Sequence, residues 1–198
     1  MNLPNKLTVA RVILIPVFMV FLAIPPLFSA LGDLLTRVIA AALFILISLT
    51  DMLDGKIARK RNLVTDFGKF LDPLADKMLV FSACLGILVF EEKVRPVFVW
   101  AAAVVMFREL AVTGLRMMVA GKSNLVVAAS WLGKIKTTTQ IVCVSTTLLE
   151  PVVFGSWCEF FDTYRPLTYL SIAVMTVMTV WSGANYFKTY WGVLDPEK

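Results

Sequence analysis

Four aspartates in the first half of the chain are the residues best suited to chemistry. Asp51 and Asp54 are three positions apart, and Asp72 and Asp76 are four positions apart. These spacings put each pair on one face of a helix. A short basic segment joins the two predicted helices, so we expect antiparallel neighbours whose carboxylates converge. Converging carboxylates repel one another unless cations neutralise them, and oxygen ligands suit Mg²⁺, Mn²⁺ or Ca²⁺.

The residues around the aspartates fit a phosphate substrate. Two divalent ions about 3.5–4 Å apart would stabilise both the attacking and the leaving oxygens of a phosphoryl transfer. Gly55, Ala58 and Gly68 are small, so a ligand could approach the backbone closely. Arg59 is placed to meet a phosphate group. A single aspartate could instead cap a helix or carry a solvated charge, but that reading does not explain the whole set.

Composition excludes several other chemistries and indicates a membrane protein. The chain has 198 residues and no histidine, which excludes imidazole-based hydrolysis and histidine-ligated zinc. Hydrophobic residues make up 59% and charged residues 17% of the sequence. A soluble domain typically has about 45–50% apolar residues, so lipid is the expected solvent for much of this surface.

Continuous apolar runs predict an all-α integral membrane fold. Each run is close to the roughly 20 residues that a spanning helix needs, and we expect a single domain over residues 1–198. A short N-terminal segment is predicted to lie at the membrane interface, where Lys6 and Arg11 would meet anionic lipid. The six predicted transmembrane helices cover Val9–Phe28, Leu34–Leu53, Phe70–Phe90, Val94–Val119, Leu132–Leu149 and Leu167–Phe187.

The distribution of basic residues predicts the orientation. On the six-helix topology, 15 of the 19 Lys and Arg residues lie on the side that holds the aspartates and both termini. The positive-inside rule makes that side cytoplasmic. We therefore expect an integral protein of a bacterial inner membrane, with its active site and both termini facing the cytoplasm.

The residues in and around the aspartate pairs fill the pattern D-x2-D-G-x2-A-R-x8-G-x3-D-x3-D. This pattern resembles the signature of the CDP-alcohol phosphotransferases at every fixed position. The resemblance implies a six-helix fold, usually a homodimer, that transfers a phosphatidyl group from CDP-diacylglycerol to a small alcohol, with Asp76 as the general base. It implies one or two ions, Mg²⁺ or Mn²⁺, held by Asp51, Asp54, Asp72 and Asp76. It also implies a CDP site formed by Asp51, Asp54, Gly55, Ala58, Arg59 and Gly68.

Three further segments bear on the identity of the alcohol. NLPNKLTVARVILIP, FRELAVTGLR and GKIKTTTQ are similar to members of that family whose acceptor is glycerol 3-phosphate. Such an anion needs fixed cations, although basic residues near helix ends also reach towards headgroups, and Arg108 could instead form an internal ion pair with Glu109. The residues predicted to bind the acceptor phosphate are Thr8, Arg108, Arg116, Lys134 and Lys136.

The predicted reaction is a metal-dependent direct displacement that yields phosphatidylglycerophosphate and CMP. The predicted partners are CDP-diacylglycerol, glycerol 3-phosphate, membrane lipid and a second copy of the chain, and no nucleic acid. One alternative keeps the chemistry but uses inositol phosphate, serine or phosphatidylglycerol as the acceptor. Another is a divalent-cation transporter, because carboxylates within membranes also mark ion pathways.

Overall fold

The computed structural model describes residues 2–24, 30–60, 66–123, 131–155 and 157–191. Side chains are described over the same ranges except at residues 3, 4, 52–60, 66, 67, 69, 70 and 120–123. Within these ranges the chain is helical, with no β-strand. The helices are α1 (Leu3–Ala23), α2 (Asp33–Lys60), α3 (Asp66–Phe90), α4 (Arg95–Ser123), α5 (Trp131–Val153), α6 (Glu159–Tyr164) and α7 (Pro166–Tyr190).

Helix length and apolar composition confirm the predicted membrane fold. Within the described ranges, five segments are long and apolar enough to cross a membrane: Asn5–Ala23, Asp33–Asp51, Leu71–Phe90, Arg95–Val119 and Glu159–Tyr190. The remaining predicted span, Leu132–Leu149, corresponds to α5, whose 23 residues are sufficient in length but more polar. Four of its polar side chains are turned inward, since Lys136, Gln140, Thr147 and Glu150 are all buried. A spanning helix tolerates polar groups on such an inward face.

The long helices form a bundle in which α1 lies against both α2 and α3. Further contacts join α2 to α5, α5 to α7, α7 to α4, and α4 to α3. The main core contains Phe18 and Leu22 from α1 together with Phe44 and Ile47 from α2. The outer surface is apolar as well, which is expected of helices that face lipid rather than water.

A glycine allows α1 and α3 to approach closely. A methyl group at Gly86 on α3 would lie 2.6 Å from Cδ1 and 3.1 Å from Cβ of Leu22 on α1. Small residues at such crossings let helix backbones come near each other in membranes. This contact sets the spacing between the two helices that carry much of the candidate site.

Buried ion pairs tie the helices together at the end of the bundle where α3 finishes. Arg37 near the start of α2 is paired with Glu91, which follows α3. Arg165, the residue before α7, lies 3.9 Å from the second carboxylate oxygen of Glu91. Glu150 near the end of α5 accepts hydrogen bonds from the backbone N–H groups of Leu167 and Thr168 at 2.9 and 2.7 Å. We call this end of the bundle the Glu91 end. Helices α2 and α7 begin here, whereas α3 and α5 finish here, so these helices alternate in direction.

The first residues of the chain belong to α1 rather than to a separate element. The helix begins at Leu3, with a proline in its first turn, and continues without a break to Ala23. The segment predicted to lie at the membrane interface is therefore the N-terminal end of the first long helix.

Candidate active site

Two helices bring carboxylates together at the end of the bundle opposite Glu91, and a third helix contacts these carboxylates. Asp51 lies near the end of the apolar part of α2, and Asp72 and Asp76 lie in the first half of α3. Helix α1 packs between them. Nη1 of Arg11 lies 2.6 Å from Oδ1 of Asp51 and 3.0 Å from Oδ1 of Asp76. One turn earlier on α1, the hydroxyl of Thr8 donates a 2.7 Å hydrogen bond to Oδ1 of Asp72.

Arg11 is the residue that joins the two aspartate-bearing helices. Its side chain is 0% exposed, while those of Asp51 and Asp76 are 37% and 53% exposed. A buried guanidinium is costly unless carboxylates compensate it, and these two do. The expectation that Arg11 meets anionic lipid is therefore wrong. The sequence did carry a signal, since an arginine three residues after Thr8 near the start of an apolar run needs an internal partner.

Part of the predicted CDP site lies outside the described side chains. Helix α2 includes four residues of this site whose side chains are outside the described part of the chain: Asp54, Gly55, Ala58 and Arg59. Gly68 is buried in the first turn of α3. The roles assigned to these residues remain predictions.

A cavity of about 200 Å³ lies beside the aspartates. It is bounded by α2, α3, α4, α5 and α7, with polar groups towards the aspartate end and apolar residues deeper in the bundle. The polar lining consists of Ser48, Asp51, Asp76, Lys77, Glu109, Lys136, Thr137 and Gln140. The site thus presents two carboxylates and a lysine from α2 and α3 on one side, and a carboxylate, a lysine and an amide from α4 and α5 on the other.

Glu109 connects the basic residues near the cavity. It forms an ion pair with Lys136 on α5 and lies 3.4 Å from Nη1 of Arg108 on its own helix. Arg108 also donates a 2.7 Å hydrogen bond to Ser182 and lies over the ring of Tyr186 at 5.7 Å. The anticipated internal ion pair between Arg108 and Glu109 is present. Arg108 therefore supports Lys136 through their shared carboxylate and anchors α4 to α7.

The other predicted acceptor residues occupy different positions. Thr8 is turned to Asp72 rather than to the cavity wall. Lys134 is exposed and lies 5.8 Å from the ring centre of Trp131, and Arg116 is exposed on α4. Of the five residues, Lys136 is the one that lines the cavity. The roles of Thr8, Arg108, Arg116 and Lys134 in binding the acceptor phosphate remain predictions.

The carboxylates suit a hard divalent cation by their chemistry, although the described side chains do not form a closed set of ligands. No three Asp, Glu or Cys side chains in the described part of the chain are grouped so that they could hold a metal ion. Asp51 and Asp76 nevertheless direct oxygens at one point, since both contact the same nitrogen of Arg11. Oxygen ligands of this kind are those that Mg²⁺ and Mn²⁺ prefer.

Fold and site together define an integral membrane protein with a polar, carboxylate-lined cavity at one end of a helical bundle. The family model for CDP-alcohol phosphatidyltransferases matches residues 1–184. The chain belongs to this family.

Similar curated proteins cover nearly the whole chain. A protein of Bacillus subtilis (strain 168) named CDP-diacylglycerol–glycerol-3-phosphate 3-phosphatidyltransferase is 46% identical over 198 residues, covering 98% of this chain and 97% of the relative. A protein of the same name from Rickettsia typhi is 37% identical, covering 96% and 98%. Another of that name from Shigella flexneri is 38% identical, covering 93% and 92%. The predicted family is thereby confirmed.

Proposed function

We propose that this protein transfers the phosphatidyl group of CDP-diacylglycerol to glycerol 3-phosphate, giving phosphatidylglycerophosphate and CMP. The observation that carries the proposal is the cavity that joins Asp51 and Asp76 to Lys136. The carboxylates can accept a proton and bind cations, and the lysine can bind an anion. The choice of acceptor is supported by the names of the three relatives, each of which matches the chain almost end to end.

The donor end of the site is assigned to the aspartates. We propose that Asp51, Asp54, Asp72 and Asp76 hold one or two ions, Mg²⁺ or Mn²⁺, and that Gly55, Ala58, Arg59 and Gly68 complete the CDP site. When bound, such ions neutralise the charge of the pyrophosphate. Two observations support this metal site. All the proposed ligands are carboxylate oxygens, and Asp51 and Asp76 already attract a cationic group, since Nη1 of Arg11 lies 2.6 and 3.0 Å from them.

Asp76 is the proposed general base. It is half-exposed and lines the cavity, so a hydroxyl group of the acceptor can reach it. Asp76 accepts the hydroxyl proton, and the acceptor oxygen forms a bond to the phosphorus that carries diacylglycerol. The bond from that phosphorus to the bridging oxygen of the pyrophosphate breaks, and CMP leaves. Catalysis then rests on positioning and electrostatic stabilisation.

Arg11 holds the base in place. Its buried guanidinium contacts one oxygen of Asp76 and one of Asp51, and so links the two aspartate-bearing helices. Thr8 does the same for Asp72 through its hydroxyl. Pre-oriented groups lower the barrier because little reorganisation is needed during the reaction.

The acceptor phosphate is assigned to the basic side of the cavity. Lys136 faces it directly, and Glu109 holds Lys136 in position together with Arg108. Arg116, Lys134 and Thr8 remain proposed contributors to the same phosphate site. Several fixed cations are appropriate because glycerol 3-phosphate is a small anion.

The remaining assignments concern the protein in its membrane. We propose one domain, cytoplasmic exposure of the aspartate end and both termini, a bacterial inner membrane, and assembly as a homodimer. The aspartate end carries most of the basic residues, which supports this orientation. CDP-diacylglycerol would enter laterally from lipid with its headgroup in the cavity.

The experiment that tests the function measures CMP release by purified protein in detergent. CDP-diacylglycerol and Mg²⁺ or Mn²⁺ are supplied with glycerol 3-phosphate, serine or inositol phosphate in separate reactions. We expect CMP only with glycerol 3-phosphate. Release with another acceptor would preserve the family chemistry and overturn the acceptor, and no release from folded protein would overturn the function.

The transporter alternative is not supported. The chain belongs to a family of phosphatidyltransferases rather than of transporters. The interior of the cavity is lined by apolar residues, among them Phe98, Val105 and Met175. A phosphatidyl transfer site accounts for this lining.

A further inference from the structure

Gln140 is a buried amide that faces the cavity without a partner in the described part of the protein. The residue is 4% exposed and lines the cavity. Neither its side-chain oxygen nor its nitrogen forms a hydrogen bond to any described residue. A buried polar group left in this state is unfavourable, so such groups normally have a partner. The cavity is the open space that this amide lines, so a bound molecule can supply the partner there.

The position of Gln140 on α5 limits what the partner can be. Gln140 follows Lys136 by four residues, so the two side chains lie one turn apart on the same inward face. Lys136 is the nearer of the two to the aspartate end, and Gln140 lies deeper. The walls around Gln140 are apolar, with Ile141, Val144 and Met175 also lining the cavity. A molecule that contacts Lys136 and the aspartates in the same cavity can place a small polar group against Gln140.

The chemistry of an amide favours a neutral hydroxyl over a phosphate. A glutamine side chain offers two N–H donors and one acceptor oxygen. A hydroxyl group can accept from the N–H and donate to the oxygen at once. A phosphate has no proton to donate to that oxygen when it is fully ionised, and Lys136 is the better group for it.

We propose that Gln140 binds the secondary hydroxyl of the acceptor, the one that does not react, and so selects glycerol 3-phosphate over phosphates that lack this hydroxyl. This inference rests on the proposed function. Three polar groups of the site then correspond to the three polar groups of the acceptor: Asp76 to the reacting hydroxyl, Lys136 to the phosphate and Gln140 to the secondary hydroxyl. Gln140 is a specificity-determining residue in this scheme, and no proton transfer is assigned to it.

The test compares two acceptors that differ only in the secondary hydroxyl. The kcat/KM of CMP release is measured with glycerol 3-phosphate and with 3-hydroxypropyl phosphate, for the native protein and for Gln140→Met, which has similar length and no hydrogen-bonding amide. The native protein should prefer glycerol 3-phosphate by at least about tenfold, since the analogue leaves the buried amide unpaired. In Gln140→Met this preference should fall to within about twofold, mainly through a lower kcat/KM for glycerol 3-phosphate.

Thr179→Val supplies the matched control. Thr179 is another buried residue, 0% exposed, whose hydroxyl has no partner among the described residues, but it does not line the cavity. Its replacement should leave the preference between the two acceptors unchanged. An equal loss in this control would show that removing any buried polar group alters selectivity, and would overturn the assignment.

The outcomes separate this inference from the proposed function. If the native protein uses glycerol 3-phosphate but accepts the analogue equally well, the function stands and the role of Gln140 is overturned, whatever the variant does. The same conclusion follows if Gln140→Met keeps the preference for glycerol 3-phosphate, or if its kcat/KM falls by the same factor for both acceptors. If the native protein releases no CMP with glycerol 3-phosphate, the function itself is wrong.

Discussion

Replacing Arg11 with methionine should destabilise the protein and also impair catalysis. Methionine replaces the unbranched apolar stem of the arginine and removes the fully buried charge that contacts Asp51 and Asp76. Breaking a fully buried pair costs about 3–5 kcal/mol and losing an exposed pair about 0–1 kcal/mol. The two carboxylates are 37% and 53% exposed, so water compensates part of the loss. We expect a cost of about 2 kcal/mol by interpolating between these limits.

This cost can be measured as a shift in the unfolding temperature. For a chain of this size, 1 kcal/mol corresponds to about 2–4 °C, so Arg11→Met should lower the Tm by about 4–8 °C in detergent. Activity should fall as well, because Asp76 loses the group that orients it. Arg11→Lys should retain only part of the stability and of the activity, since an ammonium group lacks the planar guanidinium that contacts two carboxylates.

Lys6 provides the control for this experiment. It lies on the same helix, and its side chain is exposed. Lys6→Met should change the Tm by less than about 1 °C. If Arg11→Met behaves like Lys6→Met in both Tm and activity, Arg11 does not join the two aspartate-bearing helices, and the account of the site is refuted.

Three further substitutions test other parts of the structure. Asp76→Asn should abolish CMP release while the protein stays folded by thermal unfolding; near-normal turnover would exclude Asp76 as the base. Lys136→Gln should raise the KM for glycerol 3-phosphate by at least about tenfold, since a charge-assisted hydrogen bond is worth about 1.5–3 kcal/mol, and an unchanged KM would remove Lys136 from the phosphate site. Exposed Lys188 is the control for that change. Glu91→Gln removes a buried carboxylate from Arg37 and Arg165, which keep their contacts with Asp33 and Asp162. We therefore expect a cost of about 3 kcal/mol, the lower end of the range for a broken buried pair, and a Tm lower by about 6–12 °C with an unchanged KM for both substrates. A Tm as high as that of Glu92→Gln, at an exposed neighbouring position, would contradict the role of Glu91 in joining the helices.

The helices could be predicted from the sequence because apolar runs of spanning length leave few alternatives. Their ends were less accurate where polar residues continue a helix. The run Leu34–Leu53 becomes α2, Asp33–Lys60, because the aspartate and basic residues after Leu53 continue the helix beyond the apolar run. The short helix α6 was not predicted, since six residues give too little periodicity to detect.

The site was predicted as far as local spacing could reach. Asp72 and Asp76 lie on one helix, so their neighbourhood follows from a four-residue separation. The contact of Arg11 with Asp51 and Asp76 joins residues 40 and 65 positions apart in the chain. It depends on how α1 packs between two other helices, which no local pattern encodes. From the sequence, Gln140 was noted only as the last residue of the segment GKIKTTTQ. Its burial and its unpaired amide could not be predicted, because both depend on how the bundle packs.

The most direct test of the central claim follows the acceptor into its product. Purified protein is supplied with CDP-diacylglycerol, a divalent cation and labelled glycerol 3-phosphate, and label is measured in the lipid extract, with Asp76→Asn as the inactive control. The proposed function predicts a labelled phospholipid that carries a second, terminal phosphate, formed in a one-to-one ratio with CMP and absent with Asp76→Asn. CMP release without label in lipid, or equal labelling by Asp76→Asn, would contradict it.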